Sequence, residues 1–224
     1  MPVVLAFDTA GSACSVALGR NGEVVAYERR EMRHGHAEEL LPMIDRVTAA
    51  AAIAPSDIEL VAVSTGPGGF TGIRAGLAGA QGLALATGAK LTGVSSFAAV
   101  AALCPNAATP LLVALDSRRA DPYVQLFDTH GVPAGDPAAV PPAGLATHIG
   151  GAIAAAGLRI AGDAAEAAAA PLTGCGPIDV LLGTAPDARG VLIAALKQLA
   201  VAGESSPRPL YLRAPDVSFP KARP

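Results

Sequence analysis

Residues 3–9 read Val3-Val4-Leu5-Ala6-Phe7-Asp8-Thr9, and residues 111–117 read Leu111-Leu112-Val113-Ala114-Leu115-Asp116-Ser117. In both, an apolar run with the length of a buried strand ends in an aspartate followed by a hydroxyl residue. A short polar turn then leads into a second strand-like run, at 14–18 in the first copy and 123–127 in the second. Repetition at this level is the mark of a duplicated unit. An apolar run ending in Asp also arises by chance, so on these residues alone both readings stand.

Working outward from the first copy, Asn21-Gly22 turns the chain into a third strand at 24–30. Residues 37–52 have helical spacing, with Leu40, Leu41, Ile44 and Val47 on one side and Glu38, Glu39, Asp45 and Arg46 largely on the other. Pro42 removes one backbone bond from that helix and bends it. A strand at 60–64, a glycine-rich loop at 66–72 and a helix running to 86 complete a β-β-β-α-β-α unit. The second half is looser. It has a Pro/Gly-rich stretch at 131–144, a helix at 145–156, a strand at 158–161, further alanine-rich helix, and a last helix at 186–200. Pro207, Pro209, Pro215 and Pro220 then make an extended, partner-dependent tail. The expected division is a first lobe at 1–104, a smaller second lobe at 105–205 and a tail at 206–224.

A chain of 224 residues accommodates two small lobes. Its net charge of -3 gives no global attraction for polyanions, so any RNA contact must be local or made through a partner. The composition is 51% hydrophobic but only 4% aromatic, so the core must pack small side chains closely. The longest uncharged stretch, 91–115, is interrupted by Pro105, Asn106 and Pro110 and is not read as a membrane span. The start of the chain lacks the pattern of a secretory leader, and the expected location is the cytoplasm. Cys14, Cys104 and Cys175 are scattered without CxxC spacing and are read as small packing residues, not as disulfides or zinc ligands.

Four motifs bear on chemistry. The turn at Asp8, Thr9, Gly11 and Ser12 has the form of a phosphate-binding hairpin, with backbone N–H donors and Asp8 holding a magnesium ion through water. An ordinary turn satisfied by its own side chains fits as well. The echo places Asp116-Ser117-Arg118-Arg119 opposite, without the glycine that close approach to a phosphate favours, so the cleft is half built. Gly66-Pro67-Gly68-Gly69-Phe70-Thr71-Gly72-Ile73-Arg74 lacks the Lys and Ser/Thr of a Walker loop and reads as a strand-to-helix turn. The helix after it carries Gly72, Gly76, Gly79 and Gly82 near one face, each interior glycine costing about 1 kcal/mol relative to Ala. Close packing must offset that, either on the chain's own sheet or against another subunit. Finally, His34 and His36 precede the first helix with Glu38 and Glu39, but an HxH lacks the i,i+4 pairing of a helical metal site, and no metal is expected. No GxSxG elbow is present.

Several ordered motifs together resemble the TsaB (YeaZ) family: Leu5 to Ala10 with Cys14 to Leu18, His36-Ala37-Glu38-Glu39-Leu40-Leu41-Pro42-Met43-Ile44, the glycine loop from Gly66 to Arg74, Gln81-Gly82-Leu83-Ala84, and Gly93-Val94-Ser95-Ser96. Later, Ala114-Leu115-Asp116-Ser117-Arg118 and Pro209-Leu210-Tyr211-Leu212-Arg213 continue the match. The resemblance implies an α/β, actin/Hsp70-like (ASKHA) fold of two related lobes with a duplicated core. It implies a non-catalytic subunit in the transfer of threonylcarbamoyl to adenosine 37 of ANN-decoding tRNAs, paired with a TsaD-like transferase paralogue and joined by a TsaE-like ATPase. It further implies that homodimers form when the partner is missing and that tRNA is met through the complex. Carried onto this chain, the family's helical contact implies Leu40, Leu41, Ile44, Gly72, Gly76 and Gly79 as interface residues. Asp8, Thr9, Gly11, Ser12 and Asp116 become vestigial phosphate loops, with a nucleotide expected only at a subunit interface. The transferase's metal-binding HxxxH is not matched by His34 and His36. The alternative is a metal-dependent glycoprotease-like peptidase or ATPase of the same fold, and a sugar-kinase-like enzyme is weaker still.

Overall fold

The computed structural model describes residues 1–150, 157–202 and 206–213. A first sheet holds β1 (Val4–Asp8), β2 (Ala13–Arg20), β3 (Glu23–Glu31), β4 (Leu60–Ser64) and β5 (Lys90–Val94) in the order β3-β2-β1-β4-β5. β1 pairs antiparallel to β2 and parallel to β4. β1 and β4 are buried along their whole length, which is why they read as unbroken apolar runs and not as alternating ones. On one face lie α1 (His36–Ala50) and α2 (Phe70–Thr87), which close a core around Leu5, Phe7, Val61 and Val63.

The second sheet contains β6 (Leu111–Leu115), β7 (Tyr123–Phe127), β8 (Ala138–Ala139), β9 (Leu158–Ala161) and β10 (Ile178–Leu181), ordered β8-β7-β6-β9-β10. Its central pairs, β6 antiparallel to β7 and parallel to β9, repeat those of the first sheet. The echo is therefore a structural duplication, with β6 in the place of β1. Its helices are reduced: α4 (Leu145–Ile149) and α5 (Ala165–Ala169) have 5 residues each, against 15 and 18 for α1 and α2. The expected helix at 145–156 is described only to Gly150, and residues 151–156 lie outside the described part.

Two helices cross between the lobes. α3 (Ser96–Leu103) follows β5 but packs Phe97 and Val100 against Leu111, Val113 and Phe127 of the second sheet. α6 (Ala188–Ala202) follows β10 but packs Val191, Leu192 and Ala195 against Val4, Ala6, Leu60 and Ala62 of the first. The expected boundary at 105–205 thus misplaces α6, whose apolar face belongs to the first lobe's core. Small residues permit the crossing, as the composition required. A Cβ on Gly190 would fall within 3.0 Å of the Ala99 carbonyl, so α3 and α6 touch through bare backbone there. Ahead of α6, buried Asp187 accepts from the Arg189 amide (2.8 Å) and from the Tyr27 hydroxyl, and the Ala188 amide donates to Ser15 Oγ (2.9 Å). Burial alone would raise the Asp187 carboxyl, but the donors on Arg189 and Tyr27 outweigh it and hold it low.

Residues 206–213 are extended, as the prolines imply, and are seated on the chain itself. The Leu210 amide donates to the Thr65 carbonyl (2.8 Å), the Tyr211 ring lies 5.0 Å from Phe70, and Arg213 pairs with Asp121 in the second lobe. Pro215 and Pro220 lie outside the described residues. Among the described residues no helix is long and apolar enough to cross a membrane.

Candidate functional site: a filled interlobe cleft and an adjoining basic cavity

The ends of β1 and β6 bring the two Asp-hydroxyl turns toward each other across the cleft between the sheets, but the first turn is already occupied. Thr9 Oγ1 donates to the Gly72 carbonyl (2.8 Å), and the Gly69 amide donates to the Ala10 carbonyl (2.8 Å). A Cβ on Gly68 would fall within 3.0 Å of the Ala10 carbonyl oxygen, and one on Gly72 equally close to that of Thr9. The glycine loop is thus pressed flat onto the hairpin, and glycine is what lets it lie there.

Asp8 and Thr9 lie beneath this lid at 0% and 1% exposure. The Asp8 carboxylate accepts a long bond from the Ala10 amide (3.3 Å), and its Oδ2 has no partner. Burial pushes its carboxyl up, against the lowering effect of Ser64 and the Ala10 and Gly11 amides. Of the five expected phosphate-loop residues, Gly11, Ser12 and Asp116 line the cleft; Asp8 does not reach it. This corrects the placement of Asp8 as a residue holding a solvated magnesium ion from the cleft.

The cleft itself has a volume of about 60 Å³. Small-molecule sites run to about 300–1,000 Å³, so this one holds a few waters. Its far wall carries two carboxylates. Asp163 Oδ1 accepts from the Asp116 amide (2.8 Å), and Asp116 Oδ1 accepts from the Arg118 amide (2.7 Å). Burial raises the Asp163 carboxyl, with the Asp116 amide acting against it. Asp163 escaped the sequence reading; the available signal was Gly162-Asp163 directly after a predicted strand, where a left-handed glycine (φ 112°) turns the chain into the cleft.

Beside the cleft, under the starts of α1 and α2, lies a second cavity of about 400 Å³, lined by Arg33, His34, His36, Phe70 and Arg118 among others. His34 and His36 are thus brought to one place, but among the described residues no group of three or more His, Cys, Asp or Glu is placed to hold a metal.

The expected interface residues separate sharply. Leu40 and Ile44 are 2% and 4% exposed, inside the first lobe's core, while Leu41 is 53% exposed. Gly76 abuts Thr9 and Val63, and Gly79 would bring a Cβ to 3.1 Å from Leu40 Cδ2. Leu40, Ile44 and Gly76 are buried within the chain and so are covered against a partner, while Gly72, half-buried, is pressed onto Thr9 of the same lobe. Only Gly82 of the glycine face looks onto open space, and Leu85 one turn on is 88% exposed.

Two sheets of repeated topology that exchange helices across a cleft define an actin/Hsp70-like (ASKHA) protein. The ROK hexokinase of Thermus thermophilus shares this fold at 14% identity and a TM-score of 0.52, over 87% of this chain and 97% of that one. A sequence profile described as TsaD: tRNA N6-adenosine threonylcarbamoyltransferase matches residues 22–166, and the chain belongs to that family, on its TsaB/YeaZ side. YeaZ from Pseudomonas aeruginosa is 28% identical with a TM-score of 0.81, over 95% of this chain and 100% of that one. The tRNA threonylcarbamoyladenosine biosynthesis protein TsaB of Escherichia coli is 40% identical over 122 residues, which are 54% of this chain and 52% of that protein. The chain spans about half the length of the curated relatives it matches.

Proposed function

We propose that this chain is a non-catalytic partner subunit in the transfer of threonylcarbamoyl to adenosine 37 of ANN-decoding tRNAs. The observation that carries the reading is the filled cleft. The space between the two Asp turns is only about 60 Å³, because the chain's own glycine loop covers the hairpin. The relative from Escherichia coli is named for threonylcarbamoyladenosine biosynthesis, and the family profile is that of the transferase.

The partner is a TsaD-like paralogue, with a TsaE-like ATPase as third component and a second copy of this chain when the paralogue is missing. Contact falls on the solvent side of α1 and α2, through Leu41, Gly82 and Leu85 in place of the buried Leu40, Ile44 and Gly76. The chain acts in the cytoplasm, needs no cofactor of its own, and meets tRNA through the complex. Depleting it should lower threonylcarbamoyladenosine in bulk tRNA, measured by nucleoside mass spectrometry; unchanged levels reject the proposal.

The peptidase reading rests on one solved relative, from Pseudomonas aeruginosa, described as similar to peptidase YeaZ. It requires turnover of peptide, or of ATP in its other form, by the purified chain alone.

A further inference from the structure

The cavity of about 400 Å³ plays no part in the subunit role above. Both α1 and α2 start on its wall, and neither has a side chain capping its first turn. Their leading N–H groups and the positive ends of their dipoles therefore face the same space. Arg33, His34, His36 and Arg118 line it, against one acid among the described lining residues, Glu38.

His36 is the independent indication. It is only 9% exposed, it lines this cavity, and its Nε2 has no hydrogen-bond partner. A buried polar atom left unpaired is costly and uncommon in a settled structure. Burial, and after it the guanidinium of Arg118, hold its imidazole below the ordinary value, so the cation of Arg118 faces the same space as this unpaired nitrogen. Arg118 is held there in a left-handed backbone conformation (φ 59°), uncommon for a residue with a side chain.

We infer that this cavity is a binding site for a phosphate group, free or carried on a small molecule, held by the first-turn amides of α1 and α2 together with His36, Arg33 and Arg118. Donors arriving from two helices and from the Arg118 loop suit a tetrahedral oxyanion better than a planar carboxylate, whose oxygens lie in one plane. The volume leaves room for an organic substituent beside Phe70. The cavity shares Gly11, Gly69 and Arg118 with the cleft, but the inference stands apart from the subunit role, since neither the small volume of the cleft nor Leu41 and Leu85 enters it.

The test is a titration of the full chain with inorganic phosphate, and separately with phenyl phosphate, at ionic strength matched with chloride, following the His36 imidazole by NMR. Saturable shifts are expected, with the His36 pKa rising by about 1 unit on binding, since an adjacent anion favours the imidazolium. Arg118→Gln, at an exposed position, should weaken binding about tenfold or more. Arg20→Gln, an exposed site away from the cavity, should not. Tighter binding of phenyl phosphate identifies an organic phosphomonoester as the ligand class; equal or weaker binding identifies free phosphate. No saturable response at His36 to either probe, or equal weakening by both substitutions, overturns the inference.

Discussion

Gly72→Ala should destabilise the chain although alanine is the better helix former. The added Cβ would fall within 3.0 Å of the Thr9 carbonyl oxygen and 3.1 Å from the carbonyl carbon, and both are backbone atoms that no rotamer change can move. The turn at 8–12 must shift, at a cost of about 1–3 kcal/mol for overpacking. The shift also breaks the Thr9 Oγ1 bond to the Gly72 carbonyl, about 1 kcal/mol more. After a helix-propensity gain of up to about 1 kcal/mol, the net loss is about 1–4 kcal/mol. For a chain of this size that is a fall of roughly 2–16 °C in Tm. Gly82→Ala is the internal control: its Cβ meets nothing within 4 Å, so propensity alone acts and should stabilise by about 0.5–1 kcal/mol. Thermal or urea unfolding of the full-length variants measures both. If Gly72→Ala proves as stable as the parent, the glycine loop is not packed on the hairpin as described.

Asp8→Asn should raise stability at neutral pH and flatten its pH dependence. The folded pKa of Asp8 lies above the ordinary 3.8, so its favourable, protonated contribution is present below that value and is lost as pH rises toward the folded one. The gap between variant and parent in urea midpoint should therefore widen from pH 4 upward; a constant gap would argue against a buried carboxylate with one oxygen unpaired. Tyr211→Ala removes the ring packed on Phe70 and the hydroxyl that accepts from Arg74 Nε (3.3 Å), while the Leu210 amide bond remains. Proteolysis within residues 206–213 should speed up several-fold with Tm down by less than about 4 °C, and a cooperative global loss of more would mean the tail is integral to the core. Leu41→Asp with Leu85→Glu should leave Tm within about 2 °C of the parent, as both positions are exposed, yet abolish co-elution with the transferase paralogue on gel filtration.

Much of the first lobe was legible because its signals are local. Unbroken apolar runs marked β1 and β4, the Asn21-Gly22 turn set β3, and period 3.6 with the glycine loop placed α1 and α2. The duplication was legible only as seven residues, and the matching strand order gives it its weight. β5 and α3 were hidden in the uncharged stretch at 91–115, where strand and buried helix look alike without polar residues to set a period. That α6 belongs to the first lobe is a long-range fact, since its apolar face fits either sheet by composition. At the site, the pattern named the cleft residues Gly11, Ser12 and Asp116, but spacing does not reveal depth. The burial of Asp8, Leu40 and Gly76 comes from the loop that folds over them. The glycine face had two readings, and backbone approach at Gly72 and Gly76 favours packing within the chain.

The most direct measurement is threonylcarbamoyladenosine formed in a reconstituted reaction of transferase paralogue, ATPase, substrate and tRNA, with the wild-type chain, with Leu41→Asp/Leu85→Glu, or with none. The subunit role predicts formation with the wild-type chain and loss to the level of the chain-free reaction with the double variant. Equal product in all three reactions would contradict it.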